Sequence, residues 1–415
     1  MKMVFIIPDM SWLYDYKSQF SLGILCLATI LKRESWDVEI FDTNANDIKN
    51  LPKADVYGIS ILYNTYESAI EISKYVRKKY PCSIIICGGI YPTTSPEKFT
   101  THFDCVFRGE AENTLKEFCD NFSVGDMYKQ IYHETGQVDI SDIIPDRSIV
   151  DESYIRTGSM FLDDESASTG GSTHLMFSRG CPGSCTFCCS PFFYKRRVRF
   201  RPVKSIIKEI KDIINTYSIR QFKIQDDTFT LKPSFLKELT GELKKLNIHY
   251  RCLTRADAID DNVVQMLYDS GCREIALGIE CADNEVLKLL KKNETVEDIS
   301  QAITIIKKYP IKIRSFFIVG LPFDTKERMQ KNIDFIEDNK LDHATISNLI
   351  PFPGTELYDK KEKFGITDIQ EHTCMNVDSG IPFSPNIKCE HMTEEEHIEI
   401  MKIFYNYMVK RGFTK

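Results

Sequence analysis

The 415-residue sequence has no apolar run long enough to cross a bilayer. Its stretch from Leu22 to Leu31 is only about half of the roughly 20 residues a spanning helix needs. It also lacks a secretory signal, because Met3-Val4-Phe5-Ile6-Ile7-Pro8 is too short for a signal core and reads as a first strand. Excess positive charge is missing too: the formal net charge is -7, which argues against a general nucleic-acid binder. With 42% hydrophobic and 27% charged residues the chain is globular and long enough for two domains. Fourteen cysteines would form a disulfide framework in a small secreted protein. In a chain of this size without a signal they point to a reduced, cytoplasmic setting.

Three of those cysteines stand together, in Ser178-Arg179-Gly180-Cys181-Pro182-Gly183-Ser184-Cys185-Thr186-Phe187-Cys188. Three thiolates spaced CxxxCxxC can hold three irons of a cubic cluster and leave the fourth open, whereas an electron-carrying cluster normally has four. An open iron is a Lewis-acid docking point, as an open position is in catalytic zinc. A zinc knuckle fits the same spacing if a fourth ligand lies nearby. Cys189 is a poor candidate because adjacent side chains point apart, and His174 is a weak one. Phe187 gives the loop an aromatic flank. The other cysteines are dispersed and read as small buried hydrophobes.

The first half alternates apolar strands with helices. Strands are expected at Met3 to Pro8, Val38 to Asp42, Val56 to Ser60, Ser83 to Gly89 and Cys105 to Glu110. Helices are expected after Leu22, from Ser68 to Lys79 and from Asn113 to Cys119. Continuous apolar strands of this kind predict an α/β, doubly wound, Rossmann-like parallel sheet. Ligands of such sheets sit beyond the carboxyl ends of the strands, where Asp42, Gly88, Gly89, Thr93, Thr94, Gly109 and Glu110 fall. Paired glycines allow close backbone approach to a flat ligand, although Gly88-Gly89 also suits a tight strand exit. Periodicity fades over 139–172, and Ser166 to Ser172 reads as a linker or covering loop.

From about residue 173 six further strand–helix units follow, a number that fits a partial (β/α)6 barrel. Active groups belong at the carboxyl ends of its strands: Gln225-Asp226-Asp227, Arg255, Gly278-Ile279-Glu280, Gly320-Leu321-Pro322 and Pro351-Phe352-Pro353. The stretch from Phe364 to Cys389, including Gly380-Ile381-Pro382, reads as irregular. Thr393 then caps a helix with an acidic first turn, running to about Lys410. The boundaries are 1–140, a linker at 141–172, a barrel at 173–365 and a helical segment at 366–415. Lys195 to Arg201 (KRRVRFR) reads as a solvated face or lid, with a phosphate contact as the sharper alternative. The histidines show no ligand spacing.

The cysteine loop together with the ordered strand-end motifs resembles the radical S-adenosylmethionine (SAM) enzymes across the whole second domain. "GGIYPTTSPE", "FRGEAE" and "SLGILCLATILKRESWDVEIFDTN" resemble the cobalamin-binding-type domain that precedes many of those barrels. The resemblance implies a [4Fe-4S] cluster on Cys181, Cys185 and Cys188, with SAM on its open iron. It places Asp226 or Asp227 at the SAM amino group, Arg255 at its carboxylate or at substrate, and Glu280 at the ribose or amino group. Phe187, Gly320 and Pro353 would line the cofactor. Cobalamin is implied in the first domain, near Asp42, Gly88, Gly89, Thr93, Gly109 and Glu110. There the chain departs from pattern: the DxHxxG signature is absent, and Asp42 is followed by Thr43 and Asn44. The implied chemistry is reductive SAM cleavage to a 5′-deoxyadenosyl radical. Methyl transfer to an unactivated carbon is the leading outcome, and rearrangement, cyclisation or oxidation is the runner-up. A non-catalytic cobalamin or cluster sensor is the reading from another class. Implied partners are a small-molecule or peptide substrate and an electron donor such as flavodoxin or ferredoxin.

Overall fold

The computed structural model describes residues 1–10, 16–157, 171–371 and 385–413. Most of the Ser166–Ser172 stretch, Gly380-Ile381-Pro382, His372 and Cys374 lie outside the described residues. The chain divides into two compact units, Met1–Ile155 and Arg156–Lys415.

The first unit is built on β1 (Lys2–Ile7), α1 (Leu22–Arg33), β2 (Asp37–Asp42), β3 (Val56–Ser60), α2 (Tyr66–Lys79), β4 (Ile84–Gly88), α3 (Ile90–Thr94), β5 (Cys105–Arg108), α4 (Glu112–Val124), β6 (Ile131–His133) and α5 (Glu152–Ile155). Its six strands run in the order β2-β1-β3-β4-β5-β6, and all are parallel. This is the doubly wound sheet expected, with one strand more. Strand β6 escapes a reading for apolar runs because only its central Tyr132 is buried. Strands β1 and β3 are buried over nearly their whole length, as strands covered on both faces must be. The Ser21 hydroxyl caps α1 by accepting from Ile24 N. Strand β1 lies between β2 and β3, which run to either side of it, so the switch point of the sheet falls at its carboxyl end.

The second unit opens with β7 (Ser172–Leu175), then a short antiparallel pair, β8 (Ser178–Arg179) and β9 (Arg199–Phe200), with α6 (Ser190–Phe193) between them. There follow α7 (Val203–Tyr217), β10 (Gln221–Ile224), α8 (Pro233–Leu243), β11 (His249–Thr254), α9 (Asp261–Asp269), β12 (Cys272–Glu280), α10 (Asn284–Leu289), α11 (Val296–Ile306), β13 (Lys312–Val319), α12 (Lys326–Asp338), β14 (His343–Asn348) and α13 (Glu356–Asp359). The sheet order β7-β10-β11-β12-β13-β14 is sequential and all parallel, a curled half-barrel.

The stretch read as irregular is in part a hairpin. Strand β15 (Ile366–Ile369) pairs antiparallel with β16 (Ile387–Cys389), Ile366 opposite Cys389 and Ile369 opposite Ile387, and both Ile366 and Ile387 are buried. Helix α14 (Glu394–Lys410) starts at Thr393 in a capping box with Glu396. It packs Phe404 on Phe317 of β13 and ties Tyr407 to Glu337 of α12.

Candidate active site and cofactor sites

The cysteine loop is clamped from several sides. Thr186 N donates to Leu290 O, and Leu357 N donates to Thr186 O, both at 2.9 Å. Gly180 sits at φ +97°, and a Cβ there would lie 2.1 Å from Arg197 O, so only glycine fits where the loop leaves β8. Phe187 packs on the apolar group formed by Cys281, Val286, Leu290, Leu321, Leu349 and Leu357. Asp226, at the end of β10, accepts from Phe177 N at 2.7 Å and from Ser178 Oγ at 2.6 Å. Burial raises its pKa to about 6 against those hydrogen bonds. Asp227 accepts from Ser190 Oγ at 2.6 Å and from the Gly180 backbone. Both carboxylates therefore hold the loop in place through the chain's own donors.

Beside Cys185 lies a buried network of ions. Arg255 Nη1 is 4.0 Å from Cys185 Sγ and Arg255 Nη2 donates to Lys292 O at 2.7 Å, while Nε and Nη2 grip Asp257 as a fork. Lys292 Nζ lies 3.3 Å from Glu280 Oε1 and 3.4 Å from Glu294 Oε2. Burial raises the Cys185 thiol pKa, and the Lys292 and Arg255 cations oppose it. Burial also raises Glu280, with Lys292 opposing. For Lys292 burial acts downward, but Glu280, Glu294 and Cys185 outweigh it and its pKa rises. Glu280 holds φ +67° where the β12–β13 register shifts, a left-handed conformation rare outside glycine. Gly278 makes room for it: a Cβ there would be 2.4 Å from Glu280 Oε1 and 3.1 Å from Lys292 Nζ.

Lys292 and Glu294 were not legible in the sequence. Lys291-Lys292-Asn293-Glu294 has the composition of a solvated turn. Positive φ at Lys291 and Asn293 instead turns the alternate pair inward, and both Lys292 and Glu294 are buried.

Gly320, at φ +79°, donates its N–H to Asp324 Oδ2, as does Leu321. A Cβ on Gly320 would meet Asn348 Oδ1 at 2.5 Å. Pro353 is buried, and a Cβ on its neighbour Gly354 would meet the Phe192 ring at 3.1 Å. Of the basic run, Lys195, Arg196 and Arg197 are exposed, whereas Arg201 is buried against Glu209.

In the first unit, a cavity of about 70 Å³ opens at the switch point. Ile7 at the end of β1, Pro8 after it, Asp42, Ser60, Leu62 and Thr65 line it, with Phe20 and Ile24 from the α1 side. Of the expected residues only Asp42 reaches this cavity. Its Oδ2 accepts from Tyr154 Oη at 2.8 Å and its Oδ1 from the Asn44 backbone and side-chain amides. Asn44, where the signature has its histidine, also donates to Pro8 O and accepts from Met10 N. It is a loop staple. Gly89, Thr93 and Gly109 form a separate group: Thr93 Oγ1 donates to Gly89 O and accepts from Gly109 N. A Cβ on Gly89 (φ +105°) would lie 2.8 Å from Ile61 O, and one on Gly88 would lie 3.4 Å from Phe107 Cβ. Glu110 is partly exposed at the start of the β5–α4 turn.

The donors suit the groups that the motifs imply. Among the described residues no three His, Cys, Asp or Glu side chains converge on a single ion. Three thiolates that each take a different iron of a cube need no such convergence. Cations beside Cys185 match the negative charge of a thiolate-bound cluster, and the carboxylates of Glu280 and Glu294 match an ammonium group.

The family model described as the radical SAM superfamily matches residues 175–336, and that of the B12 binding domain matches 17–119. The chain is a radical SAM enzyme with an N-terminal B12-binding domain, and these domains imply a [4Fe-4S] cluster with SAM and cobalamin. It is 28% identical to an uncharacterized methyltransferase of Pyrococcus horikoshii, over 92% of this chain and 86% of that protein. It is 23% identical to the bacteriochlorophyllide d C-12(1)-methyltransferase of Chlorobaculum tepidum, over 82% and 73% respectively. Its fold is similar to that of the radical SAM methyltransferase TsrM of Kitasatospora setae, solved with cobalamin and a [4Fe-4S] cluster bound. That match has a TM-score of 0.70 at 16% identity, covering 97% of this chain and 81% of the other. No helix of the described residues is long and apolar enough to cross a membrane.

Proposed function

We propose that this chain is a cobalamin-dependent radical SAM C-methyltransferase acting on a small-molecule or natural-product substrate. One observation carries the reading: a single chain joins a clamped three-cysteine loop at a barrel's carboxyl edge to a switch-point cavity in a B12-type sheet. The relatives named as methyltransferases support the reaction class. When bound, the cluster with SAM supplies a 5′-deoxyadenosyl radical, and cobalamin supplies a transferable methyl group.

Cys181, Cys185 and Cys188 would hold three irons. Glu280, given room by Gly278 and oriented by Lys292, would receive the SAM ammonium, and Arg255 its carboxylate. Asp226 and Asp227 act at one remove, fixing the loop through Ser178, Phe177 and Ser190. Phe187 and the turns at Gly320 and Pro353 wall the site and exclude water. Asp42 positions the loop around the N-terminal cavity, and no histidine of that loop reaches the metal. Gly88, Gly89, Thr93, Gly109 and Glu110 shape the neighbouring rim. The barrel occupies 173–365, and the linker expected at 141–172 is shortened to the part after Ile155, because 141–155 belongs to the first unit. A cytoplasmic flavodoxin or ferredoxin supplies the electron.

The test is the metal content and product of anaerobically reconstituted, cobalamin-supplied protein. About four irons with cobalt bound, and label passing from methyl-labelled SAM into a product, are expected. Iron without cobalt would overturn methyl transfer in favour of rearrangement or oxidation. Zinc that resists replacement would overturn the whole reading.

A further inference from the structure

The inner wall of the barrel carries charges that the cluster site does not use. Lys223, Arg251, Glu274 and Arg314 are each the third residue of their strands, β10, β11, β12 and β13. Lys223 pairs in register with Arg251, and Arg251 with Glu274, so in this parallel sheet their side chains share one face. That face is turned away from the helices: Tyr250, one residue before Arg251, is buried with its hydroxyl against Ser270 at the end of α9. Arg314 reaches Glu274 Oε1 through Nε at 2.7 Å, and Arg251 Nη1 reaches the same oxygen at 3.4 Å. His343 is the register partner of Arg314, and Lys312, the partner of Glu274, lies 3.5 Å from Asp342.

Two arginines thus share one carboxylate on a mostly buried wall, and Lys223 stands in register beside Arg251. Burial first, and then Arg251 and Arg314, push the Lys223 ammonium down to about 7, and Glu274 only partly opposes them. Burial and Arg314 likewise push His343 down to about 4. Such crowding is unfavourable in the folded protein and is relieved by an incoming anion, whose oxygens arginine forks match well.

We propose that Lys223, Arg251 and Arg314 form an oxyanion-binding subsite for a carboxylate or phosphate group of the substrate. The subsite gives the substrate a polarity. Arg255 beside Cys185 lies four residues beyond Arg251, or about 13 Å of strand at the usual rise. A substrate anchored here by its anionic end presents its other end at the carboxyl edge, where the cluster loop stands. The subsite rests on the methyltransferase reading for its biological use, but its binding does not require cluster, SAM or cobalamin.

The test is calorimetric titration of the full-length protein with inorganic phosphate and, separately, malonate, in chloride-free buffer. Saturable binding of one anion per chain is expected, weakened about tenfold by Lys223→Gln and restored to within about threefold by Lys223→Arg. Lys223→Gln leaves the Arg251–Glu274–Arg314 group intact, and a matching thermal melt checks that the variant is folded. Tighter binding of phosphate than malonate marks a phosphorylated substrate, and the reverse marks a carboxylate. Absence of binding, or binding lost on Arg196→Gln/Arg197→Gln but not on Lys223→Gln, overturns the subsite. Metal loading reads the other proposal separately: iron and cobalt without anion binding sinks the subsite alone, and anion binding without cobalt sinks methyl transfer alone.

Discussion

The two sheets are both six-stranded and parallel, yet they use their surfaces differently. In the first unit the central strands bury both faces, so chemistry is confined to the carboxyl ends and the Asp42 cavity. In the second unit one face is covered by helices, and the other carries Lys223, Arg251, Glu274 and Arg314 across the wall. A sheet covered on both sides has only an edge to offer. A curled sheet offers an edge and a face, and so can hold a cofactor at one level and a substrate at another.

The two units are expected to differ most in metal content. Cys185→Ala is expected to abolish cluster iron and SAM cleavage while cobalt stays bound, read by metal analysis and 5′-deoxyadenosine formation. Asp42→Ala is expected to do the reverse, lowering cobalt several-fold with iron unchanged. Loss of both metals in either variant would mean that the sites are not separable.

Two glycines sharpen the contrast with smaller effects. In Gly278→Ala the new Cβ meets the Glu280 carboxylate, a side chain that can move. SAM cleavage should fall about tenfold, one charge-assisted contact, with a small change in melting temperature. In Gly89→Ala the Cβ meets the Ile61 backbone at positive φ, which cannot move cheaply. That variant should lose about 1–3 kcal/mol of stability, measured by denaturant unfolding.

A pH dependence is also expected on the barrel wall. An unfolded lysine keeps its proton to about 10.4, but Lys223, buried and facing Arg251, Arg314 and Glu274, releases it near 7. Between those values the unfolded chain binds more protons, so this group makes stability rise with pH. Its cost is present in full below pH 7. Lys223→Gln should therefore be the more stable protein at pH 6.5, and the wild type should close the gap towards pH 10. A gap independent of pH would show that Lys223 is not crowded.

Much of the fold could be read directly, because buried parallel strands announce themselves as unbroken apolar runs such as Ile84–Gly88. Strand β6 could not, being short with exposed ends. The cysteine loop and strand-end motifs were local in sequence and therefore visible. Lys292 and Glu294 were not, because only the turn conformation buries a segment that looks solvated. The wall cations were hidden for a related reason: on a half-covered strand, alternation reads as solvent exposure, whichever surface lies opposite.

The clamp on Thr186 has a consequence for how the protein is made. Its two backbone partners, Leu290 and Leu357, follow it by more than a hundred residues each. Contacts so distant in sequence form late, after the costly closure of long loops. During synthesis the three thiols leave the ribosome well before the residues that pin their loop. The nascent chain therefore exposes the thiols for many seconds at ordinary elongation rates, and their loop takes its final shape only after the barrel's last strand has been made.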